Sequence, residues 1–256
     1  MIVFGTDFDD TLYFHDENGV RKEDVEAIRR FQKTGSQFGL VSGRSRTMWG
    51  QIDSMLKGAV DFDFKIYSNG ACICDKDNNI LWQTFLPADV VEDIVNKADA
   101  AGLSLILHGE DALYVTHELR PDLPGSQYIQ SLCEIDPAKI YAISFNNTST
   151  ETGRQFYQDL QDYSKAILVA NSRFADFNPL GVTKGSALNR LAHMMHETRD
   201  ISAAIGDSYN DMAMLKDADV SFTFHSSPKE VRECATHLVD GIAEAVDILL
   251  EEDKAK

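Results

Sequence analysis

The chain has 256 residues, enough for one large α/β domain or for a core carrying an inserted module. Its 41 acidic against 24 basic side chains give a formal charge of -17, which opposes nucleic acid and anionic membranes as general partners. The apolar start at residues 2–4 is too short for a signal-peptide core and no other stretch is long enough to span a bilayer, so a cytoplasmic location is expected.

The elements alternate between strand and helix periods. A strand at residues 1–4 is followed by a helix over 23–33, where Val25, Ile28 and Phe31 recur at helical spacing and Gly35 ends the run. A strand at 38–41 completes a βαβ unit. Met48, Ile52, Met55 and Leu56 line a second helix, and a strand at 64–67 ends at Asn69-Gly70. Residues 71–74 and 80–82 flank a polar turn as a hairpin, with Cys72 and Cys74 as small thiols on one face. None of Cys72, Cys74, Cys133 and Cys234 shows a disulfide or zinc spacing.

The rhythm then changes. From about residue 84 to 177 the pattern predicts a helix carrying Val90, Val91, Ile94, Val95 and Ala98, and strands at 103–107 and 112–116. A helix near 126–132, a strand at 140–145, a helix over 150–163 and strands at 166–169 and 173–177 follow. After Pro179 the α/β alternation resumes, with a helix over 184–196 and a strand at 201–205, and residues 251–256 read as a frayed tail. The expected fold is therefore α/β, a doubly wound parallel sheet over residues 1–80 and 180–256 with an inserted α+β domain over 81–179. Connections near 77–81 and 178–181 would act as hinges. The polar run His108, Glu110, Asp111, His117, Glu118, Arg120 and Asp122 reads as a solvated loop.

Ligands of an open parallel sheet bind beyond the carboxyl ends of its strands. Asp7 and Asp9 follow the first strand, Ser42-Gly43-Arg44 follows the second and Asp207 follows a late one, so all three groups converge on one edge. Neighbouring carboxylates repel unless a cation compensates them, and hard oxygen ligands of this kind suit Mg²⁺ together with a phosphate.

These residues resemble the haloacid dehalogenase superfamily. "DFDDT" at residues 7–11 is similar to its Asp-x-Asp-x-Thr signature and "VSGR" to its second motif; Lys184 in "GVTKGSAL" and Gly206 to Asp211 in "GDSYND" match the third and fourth. The position of the insertion resembles the cap of type IIB, Cof-like phosphatases. The resemblance implies that Asp7 attacks phosphorus to form an aspartyl-phosphate, while Asp9 protonates the leaving alcohol and then activates water. It further implies a Mg²⁺ site from Asp7, the backbone carbonyl of Asp9, and Asp207, with Asp211 as ligand or support. Ser42, Gly43, Lys184 and Asn210 would hold phosphate oxygens. The substrate would be a small sugar phosphate or related metabolite. A phosphomutase or phosphotransferase is the alternative, and a phosphoacceptor signalling module ranks last.

Rival roles exist for several of these residues. Ser42 could instead cap the helix carrying Met48 and Ile52. Arg44 could bridge to the insertion or to a structural carboxylate, and Thr11 supports the loop after Asp9 by hydrogen bonding. His193 and His196 lack the rest of a zinc motif and receive no role. The chain departs from the family at Asp10, where glycine is usual, which adds charge and removes a conformationally permissive residue.

Overall fold

The computed structural model describes residues 1–117, 123–171, 173–195 and 201–254. In chain order its elements are β1 (Ile2–Thr6), α1 (Lys22–Gln32), β2 (Gln37–Val41), α2 (Trp49–Leu56), β3 (Phe64–Tyr67), β4 (Cys72–Asp75) and β5 (Ile80–Gln83). Then come α3 (Ala88–Ala101), β6 (Ile106–Gly109), β7 (Leu113–Val115), β8 (Ser126–Tyr128), β9 (Ile140–Asn146), α4 (Glu151–Asp159), β10 (Ile167–Ala170) and β11 (Phe174–Asn178). The chain finishes with α5 (Lys184–Met195), β12 (Ile201–Ile205), α6 (Met212–Asp217), β13 (Val220–Phe224), α7 (Lys229–Arg232), β14 (His237–Val239) and α8 (Ile242–Lys254). Among the described residues no helix is long and apolar enough to cross a membrane.

The sequence Ile-Val-Phe-Gly-Thr of β1 is buried throughout, as a parallel strand covered on both faces must be. Phe4 points to one face, where it meets Phe31 of α1, Phe38 of β2 and Phe222 of β13 at ring-centroid distances of 5.8, 5.4 and 5.9 Å. Val3 points to the other, among Val41, Leu188 of α5 and Met214 of α6. Helices on both faces give an eight-stranded sheet of order β14-β13-β12-β1-β2-β3-β4-β5. The pairs from β14 through β1 to β3 are parallel, and β4 and β5 are added antiparallel. The chain leaves β1 toward β2 on one side, whereas β12 and β13 return on the other. The carboxyl end of β1 is thus the point where the winding reverses, the place in such sheets where a crevice opens.

The second sheet has six strands in the order β10-β11-β9-β6-β7-β8, antiparallel except for β7 with β8. Residues opposite one another in an antiparallel pair share a face. Leu107, Ile143, Phe145, Ala175 and Phe177 pack in one apolar cluster with Val91 and Ile94 of α3 and Phe156 of α4. The register places Val169, Asp176, Ser144 and Ile106 on the other face, together with Ile167 and Asn178 and with His108 and Leu113. That face turns toward the large sheet, where Met48 joins Ile106 and Leu113.

Four expectations are corrected. Residues 126–132 do not form a helix: β8 runs over Ser126–Tyr128 and pairs with β7, because Gly125 turns the chain at φ +83° and brings an edge within reach. Residues 251–254 continue α8 instead of fraying. The expected first hinge at 77–81 is the hairpin joining β4 to β5 inside the large sheet. The crossing falls later: Thr84 N still bonds to Ala71 O, whereas Leu86 N bonds to Ile140 O of the second sheet. The polar run is not a solvated loop throughout, for His108 is buried on β6; Glu118, Arg120 and Asp122 lie outside the described residues, as does His196.

Because Phe4 joins α1, β2 and β13 in one aromatic cluster, Phe4→Ala is expected to cost about 3–5 kcal/mol. Urea unfolding would show this as a lowered midpoint at unchanged slope.

Candidate active site

Strand ends deliver the acidic groups. Asp7 follows β1 with its amide on the Ile205 carbonyl at 3.0 Å, so β12 fixes the residue at the switch point. Asp207 follows β12 by two residues. Asp211 is fully buried in the next turn, and its Oδ2 accepts the amides of Asp207 and Ser208 at 3.1 and 3.0 Å. A side chain on Gly206 would collide with Asp211, its Cβ falling 2.4 Å from Cγ, which explains a glycine there. Carboxylate oxygens of Asp7, Asp207 and Asp211 lie within 4.8 Å of one another.

Lys184 meets two of them. Its Nζ donates to Asp7 Oδ1 and to Asp211 Oδ1, both at 2.7 Å, and the residue is buried. Lys184 is the first residue of α5, where the helix dipole disfavours a cation, so the two acids are what hold it there. Burial works against the ammonium form, yet the charges of Asp211 and Asp7 keep its proton bound more tightly than usual. One ammonium does not neutralise three acids. Burial pushes the Asp7 carboxyl well above its ordinary range, against Lys184 and with help from Asp211 and Asp207. Burial and then the Asp211 charge carry Asp207 up to about 6, although the Thr11 hydroxyl donates to its Oδ1 at 2.7 Å. Thr11 therefore braces Asp207 across the crevice.

Asp9 has a different environment and is partly exposed. Arg44 grips it with two bonds, Nε to Oδ2 at 2.8 Å and a terminal nitrogen to Oδ1 at 2.7 Å, and His15 Nε2 lies 2.7 Å from Oδ1. Burial raises this carboxyl, but the Arg44 hydrogen bonds and charge, followed by His15, outweigh it and hold Asp9 below the usual range. Of the alternatives for Arg44, a carboxylate partner is the one observed. The Asp9 side chain stands outside the three-acid cluster. Ser42 is buried after β2 with its amide on Ile66 O; its hydroxyl accepts the Arg44 amide at 3.1 Å, while Ser45 takes the capping role beside it. Gly43 borders Asn69, and Asn210 has a buried Oδ1 with no hydrogen-bond partner among the described residues. Asp10 adopts φ 58°, the left-handed conformation that glycine would take without strain.

Sequence reading missed His15, and also a group of residues beside the site: Ser68 and Asn69 from the large sheet, and His108, Ser144 and Asp176 from the second. Asn69-Gly70 gave a signal, but only as a strand end. Gly70 has φ +112°, and a Cβ there would fall 2.5 Å from Thr183 O, so this turn packs against the start of α5.

A buried acid cluster with a lysine at the reversal of a doubly wound sheet, faced by an inserted sheet, defines a class. The chain belongs to the haloacid dehalogenase-like hydrolase family, whose profile matches residues 4–246. It is 25% identical over 259 residues to the 5-amino-6-(5-phospho-D-ribitylamino)uracil phosphatase YcsE of Bacillus subtilis, spanning 95% of this chain and 94% of that one. Its fold is similar to a haloacid dehalogenase-like hydrolase structure from B. subtilis (TM-score 0.84, 20% identity, 96% of this chain and 99% of that one). It is similar also to the subclass IIB sugar phosphatase BT4131 (TM-score 0.80, 17% identity, 97% and 99%).

The raised Asp207 makes a prediction with a definite sign. A folded-state value near 6 against an ordinary 3.8 means that ionised Asp207 opposes folding, so stability is lost as pH rises through that interval. In chelator at pH 7.5, Asp207→Asn should stabilise the protein by about 1–3 kcal/mol, and the gain should vanish below about pH 4. A divalent cation that binds these acids should then raise the melting temperature of the wild type more than that of the variant.

Proposed function

We propose that the protein is a Mg²⁺-dependent phosphomonoester hydrolase that works through an aspartyl-phosphate on Asp7 and acts on a small sugar phosphate or related metabolite. The observation that carries this reading is the cluster of Asp7, Asp207 and Asp211 around Lys184 at the switch point. The name of the B. subtilis relative, a phosphatase of a phosphorylated ribityl compound, supports the substrate size.

The donor set fits a hard cation. Three carboxylates converge with a single ammonium, and two of them are pushed up by burial and mutual charge, the mark of a site short of positive charge. Asp7 and Asp207 would hold Mg²⁺ with the Asp9 carbonyl, and Asp211 would support them from behind while fixing Lys184. The cation supplies charge neutralisation between these acids and the phosphate oxygens.

The residues then divide the work. An Asp7 carboxylate oxygen attacks phosphorus, and the bond from phosphorus to the leaving oxygen breaks as Asp9 hands that oxygen a proton. Water next attacks the aspartyl-phosphate, its proton passing to Asp9, so that inorganic phosphate leaves and Asp7 is restored. Arg44 holds Asp9 ionised, the form needed in the second half, and His15 Nε2 stands 2.7 Å from its Oδ1. Lys184, the Ser42 hydroxyl, the Gly43 amide and Asn210 would bind phosphate oxygens, and Thr11 keeps Asp207 in place.

With Mg²⁺ and p-nitrophenyl phosphate, Asp7→Asn is expected to lower phosphate release by at least about a thousandfold. Turnover at wild-type rate would rule out the covalent route. Asp9→Asn should cost about 10²–10⁴ in rate with a sugar phosphate, but less than about tenfold in single-turnover phosphorylation by the aryl ester, whose phenolate departs without a proton. Equal losses on the two substrates would exclude Asp9 as the acid.

A further inference from the structure

A closed hydrogen-bonded circuit joins the inner face of the six-stranded sheet to one turn of the large sheet. Ser144 Oγ donates to Asp176 Oδ1 at 2.5 Å, which commits its only proton. His108 Nε2, 2.9 Å from Ser144 Oγ, must therefore be the donor in that contact. His108 Nδ1 is left to accept from the Ser68 hydroxyl at 3.2 Å. Burial pushes His108 down, against the pull of Asp176, so the ring is neutral as this tautomer requires. Asp176 Oδ2 in turn accepts from Asn69 Nδ2 at 2.9 Å, and Asn178 Oδ1 lies 3.5 Å from the same nitrogen.

The circuit thus starts at Ser68 and ends at its neighbour Asn69. Both have left-handed backbones, φ 48° and 52°, and Gly70 follows at 112°. Consecutive non-glycine residues in this region persist only where their surroundings over-determine them. The Asn69 amide has one possible orientation, since a flip would set its oxygen against the Asp176 carboxylate. Its Oδ1 is consequently fixed, in a residue only 3% exposed, and has no hydrogen-bond partner among the described residues. A Cβ on Gly43 would lie 3.1 Å from that oxygen. Asn69 also lines a cleft of about 430 Å³, which Lys184 and Asn210 border on the side of the acids and Ile167 and Val169 on the side of the second sheet. A buried acceptor without a donor is rare and needs a reason.

We propose that Asn69 is a specificity-determining residue: its Oδ1 accepts a hydrogen bond from a hydroxyl or N–H carried by the leaving alcohol close to the ester oxygen. Ile167 and Val169 cover the apolar side of that group. The assignment rests on the phosphatase reading. It makes the preferred substrate a phosphate ester of a polyol or of another alcohol with a donor beside the phosphate, and it disfavours a simple alkyl phosphate of equal size.

Glycerol 1-phosphate and n-propyl phosphate share a carbon count and differ in their hydroxyls, so the ratio of their kcat/KM values isolates the donor. The wild type should prefer glycerol 1-phosphate at least about tenfold. Asn69→Gly, chosen because glycine accepts this backbone, should bring the ratio to within about twofold of unity. Ser144→Ala leaves the strained turn alone and loosens Asp176, and it should lower the ratio about threefold. A wild-type ratio near one, or a preference that survives both substitutions, overturns the assignment. Hydrolysis of p-nitrophenyl phosphate separates the two levels: if the wild type cleaves it while showing no preference within the pair, only the role of Asn69 falls. If it cleaves none of the three esters, the phosphatase reading falls and the Asn69 assignment with it.

Discussion

A buried ammonium ion at the positive end of a helix is tolerable only when carboxylates meet it, and Lys184 meets two. Breaking a buried pair of this kind by removing one partner costs about 3–5 kcal/mol, because the remaining charge is stranded. The contact also sets geometry. Asp7 belongs to the first strand, Lys184 to the helix that follows the insertion and Asp211 to the turn after β12, so one cation ties three separate parts of the chain to the carboxyl edge of the sheet. Asp211 completes the arrangement by closing its own turn on the amides of Asp207 and Ser208.

Around that tie the acids divide into two electrostatic settings. Asp7 and Asp207 are desolvated among like charges and rise, whereas Asp9, two residues from Asp7, is held down by Arg44 and His15. A one-residue spacing is enough to separate them, since the chain bends out of the strand between the two and Arg44 and His15 meet Asp9 alone. Two carboxylates close in sequence thereby acquire opposite proton affinities, the condition for dividing acid, base and nucleophilic work between them.

Much of this was legible in the sequence because parallel strands announce themselves. Short apolar runs followed by Asp7, Ser42 and Asp207 imply a common edge, and a doubly wound sheet brings those edges together without any side-chain detail. The partners of Asp9 were harder. Arg44 was open between several roles, and His15 sits in a loop whose spacing carries no periodic signal. The polar face of the second sheet was invisible for another reason: His108, Ser144 and Asp176 are brought side by side by antiparallel register, which depends on pairing across 36 and 32 residues and not on local pattern. The segment at 126–132 misled for the same cause. Its apolar spacing suits a helix, and only the partner strand β7 makes it a strand.

The hydrogen bond from Thr11 to Asp207 spans 196 positions, and the pairing of β1 with β12 spans slightly more. A chain growing from its amino end therefore completes the first strand and the whole inserted sheet before any residue of β12 exists. Until then β1 has a neighbour on one side only, and Asp7 lacks the amide acceptor and the charges that define it. The second sheet and its helices lie within one uninterrupted stretch, so their folding brings the ends of that stretch together and shortens the effective loop between the two halves of the core. Assembly of the acidic crevice therefore waits for the turn after β12, and a nascent chain that stops short of Asp211 lacks a complete acid cluster.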